Sequence, residues 1–163
     1  MNLKKIFDCQ KEIDLKFGTL RSEANNGEDN LANKITLAII VEIAEFANEI
    51  QTFKYWKLNK NINKEKIMEE WADIIHFLSS CANKLELESE INPFVASDNV
   101  NFQFKHAFKA AVEFQENFNK ENLRKLYSLI LGFLNILNVK EQELIDAYFK
   151  KVEINLKRIE NKY

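Results

Sequence analysis

Two short groups of carboxylates are the residues of this sequence best suited to chemistry. Glu42, Glu45 and Glu49 follow one another at i, i+3 and i+7, and Glu69, Glu70 and Asp73 form a second group further along. At helical spacing each group falls on one narrow strip. Both strips border apolar stripes, Ile39, Ile43, Phe46 and Ala47 for the first and Ile67, Trp71 and Ile74 for the second, instead of lying on the opposite, solvated side. Unit charges about 4 Å apart repel by roughly 1 kcal/mol in water and about 4 kcal/mol at an effective dielectric near 20, so converging carboxylates ask for a cation or for protons. Oxygen-only donors favour a hard ion. Magnesium fits because it accepts carboxylates, keeps several waters and commonly bridges to phosphates. The pattern therefore predicts a magnesium site that takes a phosphate-bearing ligand. A lone E-x-x-E is more often a solvated helix face paired with Lys; two such motifs beside core stripes, with few compensating Lys, favour the metal.

The elements that must hold these strips are helices. Apolar positions Ile35, Ile39, Ile43, Phe46, Ala47 and Ile50 predict an amphipathic helix from about Asn30 to Phe53. Asn63 is placed to cap the next, which carries the stripe Ile67, Trp71, Ile74, Ile75 and Leu78 to about Leu85. The connection between the two is short enough for antiparallel packing, which would bring the carboxylates together. A first helix is expected from about Leu3 to Phe17, with Ile6, Phe7 and Ile13 inward and a C-cap near Gly18, followed by a loop, SEANNGEDN. The lone proline in SEINPFVASDN marks the largest break. A fourth helix follows through FQFKHAFKAAVEFQENF, a fifth capped by Asn119, and a last from about Lys140 to Ile159. In this last helix Tyr148, Lys151, Asn155 and Arg158 share one face, where Lys and Arg can hold phosphates and Asn155 has no propensity reason to stand.

The composition agrees with an all-α bundle of about six helices. The chain has 163 residues, 46% of them hydrophobic with thirteen Phe, but only three Gly and one Pro, so a sizeable core is available and few positions force turns. One domain over residues 1–163 is expected. A net charge of -2 from 23 basic and 25 acidic residues provides no cationic field for nucleic acid. No apolar run approaches the roughly 20 residues that cross a bilayer. Charges interrupt the start MNLKKIFDCQKEID, and Cys9 and Cys81 have no C-x-x-C spacing, so a cytoplasmic protein with reduced thiols is expected.

The runs EIAEFANE, TFKYWK and EEWADIIHFL, together with the ending AYFKKVEINLKRIENKY, resemble the all-α nucleoside triphosphate pyrophosphatase superfamily and most closely its dimeric dUTPase branch. The ending is similar to that branch's terminal signature at Tyr148, Lys151, Asn155, Arg158, Asn161 and Tyr163, with Lys162 where the family usually has Gly, so a closing C-terminal segment is expected to be shorter or differently shaped. The resemblance covers helices one to three and six. It implies that Glu42, Glu45, Glu70 and Asp73 bind two or more magnesium ions, with Glu42 orienting or deprotonating the attacking water and Glu49 and Glu69 as second-rank candidates. It further implies phosphate binding by Lys151, Arg158 and Tyr148, and base or sugar contacts from Gln10, Trp56, His76, Phe77 and Asn155. Taken from the residues alone, Trp56 and Phe77 suit a core equally well, and His76 suits a hydrogen-bonded buried histidine.

The activity so implied is hydrolysis of dUTP, and of dUDP, between the α and β phosphates to give dUMP, limiting uracil incorporation into DNA, in a homodimer. Two other readings stay open: a house-cleaning pyrophosphatase for dCTP or a modified nucleotide, and a helical interaction protein without catalysis. The terminal signature favours dUTP over the first, and the intact carboxylates count against the second.

Overall fold

In the computed structural model, which describes residues 1–24 and 31–160, the chain forms six helices: α1 (Lys4–Ala24), α2 (Leu31–Ile50), α3 (Lys64–Lys84), α4 (Val100–Glu116), α5 (Lys120–Ile136) and α6 (Glu141–Glu160). The all-α class expected from the sequence is the class observed. Among the described residues the one β feature is an isolated antiparallel bridge between Asn2 and Glu90. No described helix is long and apolar enough to cross a membrane.

Asparagine starts three of the helices. Asn63 accepts from the backbone N–H groups of Glu65 and Lys66, Asn99 from those of Asn101 and Phe102, and Asn119 from that of Asn122. Each satisfies amides that the first turn leaves without a partner. With so few glycines, helix ends fall to other residues. Gln51, Glu86 and Asn138 take positive φ just past α2, α3 and α5. Behind Glu86 the Leu87 N–H donates to Ala82 C=O, and behind Asn138 the Val139 N–H donates to Leu134 C=O, the six-to-one bond of a Schellman ending. Gln51 stops α2 three residues before the expected Phe53 and ties its side chain across the next connection, Nε2 donating to the Asn61 carbonyl.

The expected stop of α1 at Gly18 is corrected. The helix runs through Gly18 to Ala24, so Ser22–Ala24 of the expected loop are helical and residues 25–30 lie outside the described residues. A glycine inside a helix costs about 1 kcal/mol against alanine but ends it only if the chain turns left-handed there, and Leu, Arg, Glu and Ala in the following segment favour continuation. Gly132 has a different task. A Cβ at that position would lie 2.1 Å from the Phe94 carbonyl oxygen, which closes the segment after α3 against α5.

The helices pack as α2 against α3 and α4, α3 against α1 and α6, and α4 against α5. An aromatic cluster joins four of them: the Phe46 ring centroid lies 5.2 Å from that of Trp71 and 5.2 Å from that of Phe133, and Phe104 lies 4.5 Å from Phe133. Phe46, Trp71 and Phe133 are fully buried, each contributing about 2–3 kcal/mol of transfer free energy. The cluster also sets the site, because Phe46 follows Glu45 and Trp71 follows Glu70. Fixing the two rings against each other fixes the register at which the two carboxylate strips meet.

Candidate metal and nucleotide site

Glu42 and Glu45 from α2 and Glu70 from α3 each present a carboxylate oxygen, and the three oxygens all lie within 4.8 Å of one another. Glu42 and Glu70 are half-buried beside the aromatic core, while Glu45 is exposed. Like charge at this spacing is paid for in proton affinity. The Glu42 carboxyl is pushed up to about 7, by burial first and then by the charges of Asp73, Glu45 and Glu70. Glu70 is raised for the same reasons, burial leading and Asp73 and Glu45 following. Three hard oxygen donors, unrelieved by an ion pair among the described residues, suit a divalent cation of the magnesium class, whose charge removes the repulsion that burial has amplified.

Asp73 sits beside this cluster in another bonding state. Its Oδ2 lies 2.6 Å from Lys151 Nζ, and Glu69 Oε1 lies 3.1 Å from the same ammonium. Lys151 is only 5% exposed, a burial that lysine seldom reaches unless it is paired. Burial acts to lower its pKa, but hydrogen bonds to and charges of Asp73 and Glu69 outweigh that and raise it. Asp73 is itself raised, burial prevailing over the Lys151 hydrogen bond, with Glu69 adding to the rise and Arg158 opposing it. Glu69 is lowered by its hydrogen bond from Lys151, against burial, with help from Lys66 at 3.2 Å. Of the carboxylates singled out by spacing, the converging three are therefore Glu42, Glu45 and Glu70. Asp73 and Glu69 are engaged by lysine, and Glu49, two turns from Glu42, is not among those that converge.

Gln10, His76 and Tyr148 come together from α1, α3 and α6. The Tyr148 hydroxyl donates to Gln10 Oε1 at 2.9 Å, His76 Nδ1 lies 2.7 Å from the same oxygen, and the His76 and Tyr148 rings stack at 4.2 Å. All three side chains are buried. His76 is lowered to about 4, by burial and then by the Lys151 charge, and is neutral at physiological pH. Tyr148 thus directs its hydroxyl to Gln10 and to the Ile6 carbonyl. Phe77 is half-buried against the core. Trp56 is not core: it is 60% exposed in the connection between α2 and α3, edge-on to Tyr55 and Phe53. Asn155 is half-buried and Arg158 exposed on α6. Asn161, Lys162 and Tyr163 lie outside the described residues.

One residue that sequence reasoning passed over belongs with this group. Asp14 accepts from Gln10 Nε2 at 2.8 Å, and the i, i+4 spacing of the two on α1 is the signal that would have found it. A groove of about 390 Å³ opens between the start of α3 and α6, reaching Glu69 and Lys151 at one end and lined also by Lys64, Lys66 and Lys150. The family model described as dUTPase matches residues 2–163 of the chain. No curated protein matches it.

Proposed function

The chain belongs to the dUTPase family and is a nucleoside triphosphate diphosphatase, and from that premise we propose that it hydrolyses dUTP to dUMP and diphosphate at the acid cluster between α2 and α3. The observation that carries this location is the convergence of Glu42, Glu45 and Glu70 oxygens within 4.8 Å. These three, joined by Asp73 one turn along α3, would hold magnesium, two or more ions per site. When bound, magnesium supplies Lewis acidity at the phosphoryl oxygens and neutralises their charge.

The chain's own groups do the rest. Glu42, half-buried beside the aromatic core, orients or deprotonates the attacking water; its carboxyl, raised in the metal-free chain by burial and its acidic neighbours, is held ionised by the cation once that is bound. Lys151 and Arg158, on one face of α6, meet the phosphates, Lys151 being already positioned by Asp73 and Glu69. Phe77 and Trp56 offer ring faces for the base, Gln10 and His76 its hydrogen bonds, and Asn155 a contact to the sugar. Tyr148 serves through Gln10, and Glu49 and Glu69 support the charge balance.

A homodimer accounts for apolar surface that one copy leaves to water. Leu37 and Val41 on α2, with Tyr55 and Leu58 in the next connection, are exposed large hydrophobic side chains of the kind an interface between copies covers. The whole chain acts as one domain in a cytoplasmic setting, with dUDP as a second substrate.

Purified protein assayed with magnesium against a panel of nucleoside triphosphates and dUDP, with product analysis for monophosphate and diphosphate, tests this reading. Turnover of dUTP to dUMP is expected. No turnover of any nucleotide would sink the enzyme reading, whereas preference for dCTP would keep the acid-cluster chemistry and overturn the base assignment.

A further inference from the structure

Asp14, Gln10 and His76 form a chain of hydrogen bonds whose polarity is fixed at one end. An ionised Asp14 has no proton to give. Gln10, one turn earlier on α1, therefore turns its amide N–H toward it, Nε2 donating to Asp14 Oδ1 at 2.8 Å. The amide oxygen then points inward, where it accepts from the Tyr148 hydroxyl at 2.9 Å and faces His76 Nδ1 at 2.7 Å. An amide oxygen only accepts, so the ring proton sits on Nδ1. His76 Nε2 is left as a bare lone pair, and it is buried without a hydrogen-bond partner. A buried acceptor in that state asks for an N–H or O–H donor. His76 lies on α3 one turn from Asp73 and stacks on Tyr148, one turn from Lys151 on α6, whose charge acts on the ring, so the ring stands beside the acid and lysine pair.

We propose that Asp14 and Tyr148 are positioning residues for base selection: by fixing the Gln10 amide they hold His76 as an obligate acceptor at Nε2, so the site takes a pyrimidine that presents a ring N–H. Uracil does so at N3. Cytosine N3 is itself an acceptor and would set lone pair against lone pair, a mismatch that a site built around one hydrogen bond rejects strongly. The inference rests on the reading of Gln10 and His76 as base contacts.

The chain has two histidines, and the other, His106, is exposed, so His106→Gln isolates the His76 ring nitrogens for nitrogen NMR. The parent should show the Nδ1–H tautomer alone. Asp14→Asn, which donates as well as accepts, frees Gln10 to flip; it should give a mixture of tautomers and lower the ratio of kcat/KM for dUTP over dCTP by on the order of 100-fold. Asp14→Glu should restore both, and Tyr148→Phe should give a smaller fall, which keeps the test open if Asp14→Asn fails to fold. A merely structural role would lower Tm without moving tautomer or ratio. An Nε2–H tautomer in the parent overturns the inference. So does a mixed tautomer in Asp14→Asn with the ratio unchanged, and in that case dUTP turnover by the parent leaves the enzyme reading intact. Turnover of neither nucleotide by the parent overturns that reading and the selection with it.

Discussion

Two neighbouring regions of α3 treat charge in opposite ways. Toward α2, Glu70 meets Glu42 and Glu45 with no ion pair to them among the described residues, and burial with the neighbouring carboxylates outweighs the Lys151 charge and raises the Glu42 pKa to about 7. Toward α6, one turn along, Asp73 and Glu69 share the Lys151 ammonium at 2.6 and 3.1 Å, and beyond them Gln10, His76 and Tyr148 bond to one another. The second region pairs its charges internally and leaves one acceptor, His76 Nε2, without a partner among the described residues. The first is held in register by Phe46 and Trp71 while its charges repel, so its stability is reserved for a partner that the chain does not itself supply.

The largest expected effect separates function from fold in the two regions. Glu45→Gln and Asp73→Asn should each lower kcat for dUTP by roughly 1,000-fold or more with the far-UV circular dichroism unchanged. Their stabilities should diverge. Glu45→Gln removes repulsion and should raise Tm of the chelated protein, whereas Asp73→Asn strips Lys151 of its closest partner and should lower it. Full activity in either variant removes that residue from the site.

Next in size is the paired region alone. Lys151→Met leaves the largely buried Asp73 without its cation and the half-buried Glu69 with Lys66 alone, and should cost about 3 kcal/mol in urea unfolding. A loss below about 1 kcal/mol would mean that the two carboxylates find other partners and that the contrast between the regions is overdrawn.

A smaller effect is the pH dependence of the metal-free protein. Glu42 has a folded pKa of about 7 against an ordinary 4.5, so the folded state binds more protons than the unfolded state between those values. The stability it contributes is present in full below pH 4.5 and is lost as pH rises through 7. Tm of the chelated protein should fall between pH 5 and pH 8, magnesium should reverse the fall most at pH 8, and Glu42→Gln should flatten it. A slope unchanged by Glu42→Gln would assign the effect to other groups.

What the sequence could tell follows the range of the interactions. The stripes of α2 and α3, the Asn63 and Asn119 caps and the convergence of Glu42, Glu45 and Glu70 depend on spacing within a helix or between two joined by a short connection, and they were legible. The continuation of α1 past Gly18 was not, because glycine signals an end only through a left-handed φ that composition does not reveal. Lys151 was legible as a cation on the right face of α6, but its partners were not. Asp73 and Glu69 lie far away in the chain, and only the packing of α3 on α6 brings them to it. Likewise Gln10, His76 and Tyr148 were singled out separately, for base and for phosphate, while their union in one buried network is a product of three helices meeting. Trp56, equally suited to a core by type, proved exposed because Gln51 ends α2 and turns the chain outward.

Calorimetric titration of magnesium into the chelated protein at pH 6 and pH 8, for the parent and for Glu45→Gln and Glu70→Gln, tests the claim that the unrelieved carboxylates are a cation site. Saturable binding by the parent is expected, tighter at pH 8 and accompanied by proton release at pH 6, with binding lost in both variants. Equal binding by all three proteins, or none by the parent with or without dUMP, would contradict the claim.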